Sequence, residues 1–447
     1  MISRKAAYVV ALLIAILFTM ASYPGFMSFD SLEALRQARE GVEGSQYPPF
    51  GSYVWRAVEW IWPGPTLMQL AQNTLLLCAF ASIFRRLNWP VLVQVLGLVV
   101  VALVPPITGT MLVVWKDVAV AAFYLSGFAM LVHVHATGPR RGARWLIVVA
   151  VALVFCGMAY RFNAASGAWP LLMYAMWLAF EGSAEKGRWL RGLLAGSALL
   201  LALFVLVWVI NSYRFPTFDR LERNTNADAI MRFDLIGISR YSGVSLVDGT
   251  DGNRVDVEYL SRIYDPRHLN ITSENDKEHR LARPSPDVAA WLDAILSHPM
   301  AYIQHRAAVM REYIGLHRHE MFYVTHPSVD ENPYGYSHTP NALTKRIVGY
   351  VWESRSSLRE RAWIYYAAAI ASLAFMYISK VTLYRVEAAV ALASGLLYLA
   401  PMFVMTPAGD VRYNFWSICS ALSSLAFSLT AILTRRLLKM GNPAAKN

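Results

Sequence analysis

The sequence predicts an all-α polytopic membrane protein, and three observations carry that prediction. Of 447 residues, 56% are hydrophobic and only 16% are charged, and the mean hydropathy is positive, unlike a soluble globular chain. About ten apolar runs approach the ~20 residues needed to cross a ~30 Å hydrocarbon core. Helices are the spanning form for such runs, because a helix satisfies its own backbone groups in lipid. Basic residues recur at every second junction: Arg4/Lys5, Arg85/Arg86, Arg140/Arg141/Arg144, Lys186/Arg188/Arg191, Lys380/Arg385 and Arg435/Arg436/Lys439. This positive-inside pattern places both termini in the cytoplasm. It accounts for the net charge of +11 as topology, which excludes a nucleic-acid-binding surface.

In chain order the predicted spans are 6–24, 65–84, 90–107, 117–135, 145–160, 164–180, 190–211, 362–379, 386–405 and 414–434. They divide the chain into an N-terminal membrane module (1–211, seven spans), an external domain (212–361) and a C-terminal membrane module (362–447, three spans). The first run exceeds the ~7–15 residues of a signal-peptide core, so it reads as an uncleaved anchor. Residues 25–64 form the first external loop, in which Asp30-Ser-Leu-Glu33 reads as a capping box opening a short helix. Gln46-Tyr47-Pro48-Pro49-Phe50 follows, then Tyr53, Trp55, Trp60 and Trp62, an aromatic density that marks a helix at headgroup level. His133 and His135, at i,i+2, point to different faces of the fourth span. In the external domain, Val288, Trp291, Leu292 and Ile295 form an apolar stripe of helical period. Ser297-His298-Pro299 breaks and restarts the helix, with Pro299 suited to the first helical position. A second stripe, Ile303, Ala307, Met310 and Ile314, is expected to lie along the outer membrane surface with the first. Cys78, Cys156 and Cys419 fall inside spans at no metal or redox spacing.

External junctions should be poor in Lys and Arg, so the exceptions are informative. Lys116, Arg161 and Arg412 each sit at an external span end, beside Asp117, Asn163 and Asp410 respectively. Helix packing at one membrane level is expected to gather them with Asp30 over a common cavity. Cations just outside lipid, next to a lone carboxylate, suit a ligand with an anionic head and an apolar tail, such as a polyprenyl phosphate. Transfer of a sugar from such a donor needs a carboxylate to take the acceptor's proton. It also needs fixed positive charge where the leaving phosphate develops its own, and arginine supplies bidentate contact there. Asp30 is the candidate base. Lys116, Asp117, Arg161, Asn163, Asp410, Arg412 and Tyr413 are candidate substrate-binding residues, with Tyr47 and His298 as further ones.

The pattern resembles the GT-C membrane glycosyltransferases, such as protein mannosyltransferases and the lipid A aminoarabinose transferase. Phe29-Asp30-Ser31 corresponds to the acidic motif of their first external loop, and Tyr47-Pro48-Pro49 is similar to the aromatic-or-His-Pro-Pro element after it. Trp115-Lys116-Asp117 resembles a basic-acidic pair at a later span end, and Asp410-Val-Arg412-Tyr413 resembles the Arg-Tyr element near the final external turn. The resemblance implies an inverting transferase in a bacterial inner (plasma) membrane, with its active site on the periplasmic or extracellular side. The donor would be a polyprenyl-phosphate sugar and the acceptor a glycan, lipid or protein. Protein mannosyltransferases carry two adjacent acids where this chain has Asp30 followed by Ser31, which leaves acceptor and metal dependence open. No cofactor is implied beyond the donor. A polymerase or ligase of lipid-linked glycan shares these features and differs in using a diphosphate donor. A transporter or flippase is disfavoured, because the span interiors hold Gln69, Gln72, Asn73 and Gln94 in place of the ionisable groups that transport pathways use.

Overall fold

The computed structural model describes residues 5–41, 48–138, 142–161, 163–180, 185–212, 226–282 and 287–441. All regular secondary structure among them is helical, joined by a few isolated β-bridges. The first half comprises α1 (Ala6–Ala21), α2 (Phe29–Glu40), α3 (Pro49–Glu59), α4 (Pro65–Arg86), α5 (Val91–Ala102), α6 (Pro105–Met111), α7 (Lys116–Thr137), α8 (Ala143–Tyr160), α9 (Ala165–Ala179) and α10 (Glu185–Ser212). An outlying unit follows: α11 (Asn226–Ser242), α12 (Val257–Ile263), α13 (Leu269–Asn275), α14 (Val288–Ser297) and α15 (Pro299–Ile314); α16 (Ala342–Ser354) comes next and packs back on α6 (Pro105–Met111). The chain ends with α17 (Ala362–Ile378), α18 (Arg385–Leu399), α19 (Met402–Met405) and α20 (Phe415–Gly441).

Six segments are long and apolar enough to cross a membrane: Pro65–Arg86, Lys116–Thr137, Ala143–Tyr160, Gly187–Ser212, Arg385–Met405 and Val411–Leu438. Three more helices stand where spans were expected but are shorter. α1, α9 and α17 have 16, 15 and 17 residues, about 23–26 Å at 1.5 Å per residue, against a core of roughly 30 Å. The expected span 90–107 is not one helix. α5 and α6 meet at a 74° bend, and every residue of α6 is buried. Pro105 and Pro106 remove two backbone donors at the break. The carbonyls at the C-terminal end of α6 are satisfied from α4: Gln69 Nε2 donates to Met111 O (3.0 Å) and Leu112 O (2.9 Å), and Asn73 Nδ2 donates to Met111 O (2.9 Å). Two amides inside an apolar helix therefore hold irregular backbone inside the bundle, where it would otherwise be unpaired.

α7 is the most enclosed of these six segments, with 78% of its apolar window buried, and it packs against α4, α8, α9 and α20. Its approach to α8 depends on absent side chains: a Cβ on Gly157 would collide with the Tyr124 ring, and one on Gly127 would press on the Ala150 carbonyl. Small residues likewise bring α18 and α20 together, with Ser417 donating to Gly395 O (2.8 Å) and Ser424 to Ala388 O (2.8 Å). At one end of this bundle Arg86 meets His133, and His135 meets Glu387 (2.5 Å) and Tyr174 (3.0 Å). The two histidines do face different helices. The other end carries α2, α3 and the outlying unit.

That unit has its own apolar core, built from α11 to α15 and including Phe233, Ile238, Leu260 and Val309. Residues 321–354 belong elsewhere. Val324 and Val351 close over Gly109 of α6, and Thr344 reaches Ala21 at the end of α1. The two expected stripes are redistributed. Trp291 and Ile295 face the unit's core, whereas Val288, Leu292, Leu296, Met300 and Ile303 remain exposed around the α14–α15 corner. The buried face of α15 is instead Ala301, His305, Arg306, Val309, Glu312 and Tyr313, because a buried ion pair lies along it. Periodicity of apolar residues alone does not show such a face.

Candidate active site

Two helix starts lie side by side. An extended segment at Phe26–Met27 bridges in parallel to Val113 on one side and to Val329 on the other. The Val114 N–H donates to Phe26 O (3.0 Å), and Ser31 Oγ donates to Val114 O (2.8 Å). α2 starts at Phe29 and α7 at Lys116, each three residues beyond the Phe26–Val113 bridge. Trp115 locks the arrangement, its indole N–H donating to Ser28 Oγ at 2.8 Å. Asp30 and Asp117 are thus the second residues of two neighbouring helices, where the unpaired N–H groups and the helix dipole favour negative charge. The capping-box reading is corrected. The residue at the cap is Ser28, whose side chain makes no capping bond, and Glu33 pairs with Arg36 at 2.8 Å. Asp30 sits inside the first turn.

The partners of both acids come from far along the chain. Arg412, on the 3-10 turn Val411–Asn414 before α20, places a guanidinium nitrogen 2.6 Å from Asp30 Oδ2 and its Nε 3.2 Å from Asp410 Oδ2. Arg161, just after α8, pairs with Asp117 and donates to Asn163 Oδ1 (3.1 Å). The Tyr413 ring joins the two pairs, since the guanidinium carbons of Arg161 and Arg412 each lie 4.9 Å from its centroid. Arg412 also lies 4.7 Å over the Trp115 ring, a cation–π contact that orients it without neutralising it. Asn163 donates to Met402 Sδ (2.9 Å), tying the α8–α9 turn to α19.

Asp30, Trp115 and Lys116 line a cavity of about 40 Å³, walled by Pro48, Gly51, Ser52 and Trp55. That is room for roughly three waters at ~10–15 Å³ each. Burial raises the Asp410 carboxyl above its ordinary value, against the opposing pull of Arg412, and burial lowers His268 nearby. Asp117 Oδ2 and Asp410 Oδ1 are buried and accept no hydrogen bond among the described residues. Acceptors left over in this way signal a site whose polar partners are incomplete.

Of the residues singled out from sequence, Asp30, Lys116, Asp117, Arg161, Asn163, Asp410, Arg412 and Tyr413 come together here. Tyr47 lies outside the described residues. His298 does not join them: between α14 and α15, it lines a separate cavity with Arg232, Asp287 and Asp293. Sequence reasoning missed Trp115 and Ser28, which orient the cluster, and Tyr323, whose ring lies 6.0 Å from that of Trp115. Trp115 was legible in principle as an aromatic directly before a basic-acidic pair. Tyr323 had no signal, since its place depends on how 321–330 crosses the bundle. Compared with protein-family models, curated proteins and solved structures, the chain gives no match.

Proposed function

We propose that this chain is a GT-C-type membrane glycosyltransferase that moves a sugar from a polyprenyl-phosphate donor to an acceptor at the external face, with inversion. The observation that carries the reading is the 2.6 Å contact between Asp30 and Arg412. A carboxylate from the first external loop and a guanidinium from the turn before the last helix meet beside a cavity also lined by Lys116. The ten-span topology and the non-cytoplasmic side of the site belong to the same proposal. The charge segregation along the helices supports it, with Arg85, Arg86 and Arg385 at the end opposite the cluster.

In the proposed reaction the donor phosphate competes with Asp30 for Arg412 and takes Lys116 as a second cation. The released carboxylate accepts the acceptor hydroxyl's proton as that oxygen attacks the anomeric carbon. The bond from that carbon to the phosphate oxygen breaks, its electron pair remaining on the phosphate, where Arg412 and the neighbouring helix N-termini stabilise it. A cavity of about 40 Å³ does not hold a sugar, so the α3 wall of Gly51, Ser52 and Trp55 must give way for the donor to enter.

The test is to incubate the purified protein with defined polyprenyl-phosphate sugars and an acceptor extract and to measure released lipid phosphate. Asp30→Asn is expected to fold normally and to lose transfer by about 10²–10⁴-fold, the usual worth of a general base. Full activity in that variant refutes the assigned base. Turnover only of diphosphate-linked oligosaccharide would move the chain to the polymerase or ligase class.

A further inference from the structure

A second group of chemistry-bearing side chains lies at the C-terminal end of α15. Gly315, with φ +78°, closes that helix in the left-handed region and turns the chain back, so that His317 and His319 face Glu312 in the last helical turn. Glu312 Oε2 lies 2.7 Å from His319 Nε2 and 3.6 Å from His317 Nε2. The three potential ligand atoms all fall within 4.8 Å of one another, and the two imidazoles stack with centroids 3.8 Å apart.

The surroundings set the tautomer of His317. Its Nδ1 is 3.0 Å from the His319 carbonyl oxygen, which can only accept, so Nδ1 carries the proton. Nε2 therefore presents a lone pair towards a carboxylate oxygen, and the His317 and Glu312 side chains are only 5% and 10% exposed. Two lone pairs facing each other repel unless a proton or a metal ion lies between them. Behind the loop, the Arg361 guanidinium donates to the carbonyls of Gly315 (3.0 Å), His319 (3.0 Å) and His317. It thereby fixes the backbone of both histidines, the kind of outer support that metal-bound imidazoles have.

The spacing suits a small ion. A tetrahedral centre with bonds of about 2.0–2.1 Å holds its ligand atoms roughly 3.4 Å apart. The 3.6 Å separation already fits. The 2.7 Å separation needs to open by less than an ångström, and the His319 ring must turn out of the stack so that both imidazole planes contain the ion, which its 51% exposed side chain allows. The group opens on a cavity of about 830 Å³ lined also by Arg311, Arg318 and Arg361. With that much positive charge nearby, a site held by charge alone is disfavoured. Two neutral imidazoles and one carboxylate select a transition ion of the zinc type over calcium or magnesium, which take mostly oxygen ligands.

We propose that Glu312, His317 and His319 form a divalent transition-metal site with a coordination position open to the adjoining cavity. The site is independent of the transferase reading. Glu312 packs directly against Gly409, so a bound ion would also brace the turn that carries Asp410.

The test uses full-length protein in detergent, freed of any polyhistidine tag, stripped with chelator and titrated with Co²⁺ and then Zn²⁺. One equivalent of Co²⁺ is expected to bind with visible ligand-field bands and no thiolate charge-transfer band, and to be displaced by one equivalent of Zn²⁺. Replacing both histidine ligands, H317A with H319A, is expected to weaken Zn²⁺ binding by more than the ~10–100-fold typical of losing an outer-shell partner. X-ray absorption on zinc-loaded wild-type protein needs no variant and should show a nitrogen/oxygen shell with two imidazoles. Absence of stoichiometric binding, an affinity unchanged by the double replacement in folded protein, or a shell without imidazole would each overturn the site.

Discussion

Two carboxylate–arginine pairs of equal separation do different work in this molecule. Asp234 and Arg306, in the outlying unit, lie 2.6 Å apart with both side chains fully buried. Asp30 and Arg412 are also 2.6 Å apart, but the Asp30 side chain is 24% exposed and a cavity adjoins it. Both oxygens of Asp234 are engaged, Oδ1 by His305 Nε2 (3.0 Å) as well as Arg306, and Oδ2 by the Trp291 indole (2.9 Å). Arg306 continues to Thr406 O (2.9 Å), so this network bolts α11 and α15 to the turn after α19. Arg412 instead divides its guanidinium among Asp30, Asp410 and Tyr413, and Asp410 keeps an unfilled acceptor. A sealed pair resists exchange and serves as a fastening. A pair at a cavity edge, with its carboxylate partly open to solvent, is open to an anionic competitor.

The largest expected effect follows from removing one member of the sealed pair. Asp234→Ala leaves the Arg306 charge buried and unpaired, which costs about 3–5 kcal/mol, read by denaturant unfolding in detergent. Asp30→Ala is expected to cost about 1 kcal/mol or less, because Arg412 retains Asp410 and solvent reaches the site. Equal losses in the two variants would make Asp30 another fastening and dissolve the distinction.

The same contrast separates what the sequence disclosed from what it hid. The long apolar helices, the charge bias of their ends and the unusual Lys116, Arg161 and Arg412 were legible because each shows in composition residue by residue. That those three would meet Asp30 was legible only as a shared position at the same ends of the apolar runs. Which acid pairs with which arginine depends on the bend between α5 and α6 and on the parallel bridge at Phe26, neither of which leaves a periodic trace. The Asp234–His305–Arg306 network was missed altogether. Its members are scattered over 73 positions, and a polar side chain on a buried face reads as solvent-exposed until the partner is seen. Glu312, His317 and His319 escaped for a related reason: a helix end brings them together across a left-handed glycine, at no metal-motif spacing.

A buried carboxyl with no cation paired to it among the described residues shows the other branch of the same rule. Glu360 is fully buried and receives one hydrogen bond, from Ser354 Oγ (2.7 Å). Loss of solvent pushes its pKa from 4.5 up to about 8, so at neutral pH it holds its proton, where Asp234 relies on Arg306. The folded state therefore keeps a proton that the unfolded chain releases above pH 4.5. The stability tied to Glu360 is complete below that value and is lost as pH rises through about 8. A thermal-melt series from pH 6 to 9 should show the wild-type midpoint falling by several degrees, with Glu360→Gln flattening that dependence. Parallel curves for the two proteins would mean that water or a cation reaches Glu360.

The smallest expected effect tests whether burial or distance ranks these contacts. Arg262 and Glu278 lie 2.6 Å apart, as close as either internal pair, but their side chains are 65% and 55% exposed. In water each charge is already solvated, so the contact replaces one good environment with another while restricting two long side chains. Glu278→Gln removes the charge and keeps the shape, and it leaves Arg262 over the Tyr259 ring at 4.9 Å. The expected change in unfolding free energy is within about 0.5 kcal/mol and shrinks further with added salt. A loss approaching that of Asp234→Ala would show that contact distance alone governs, and the inference drawn from the openness of Asp30 would go with it.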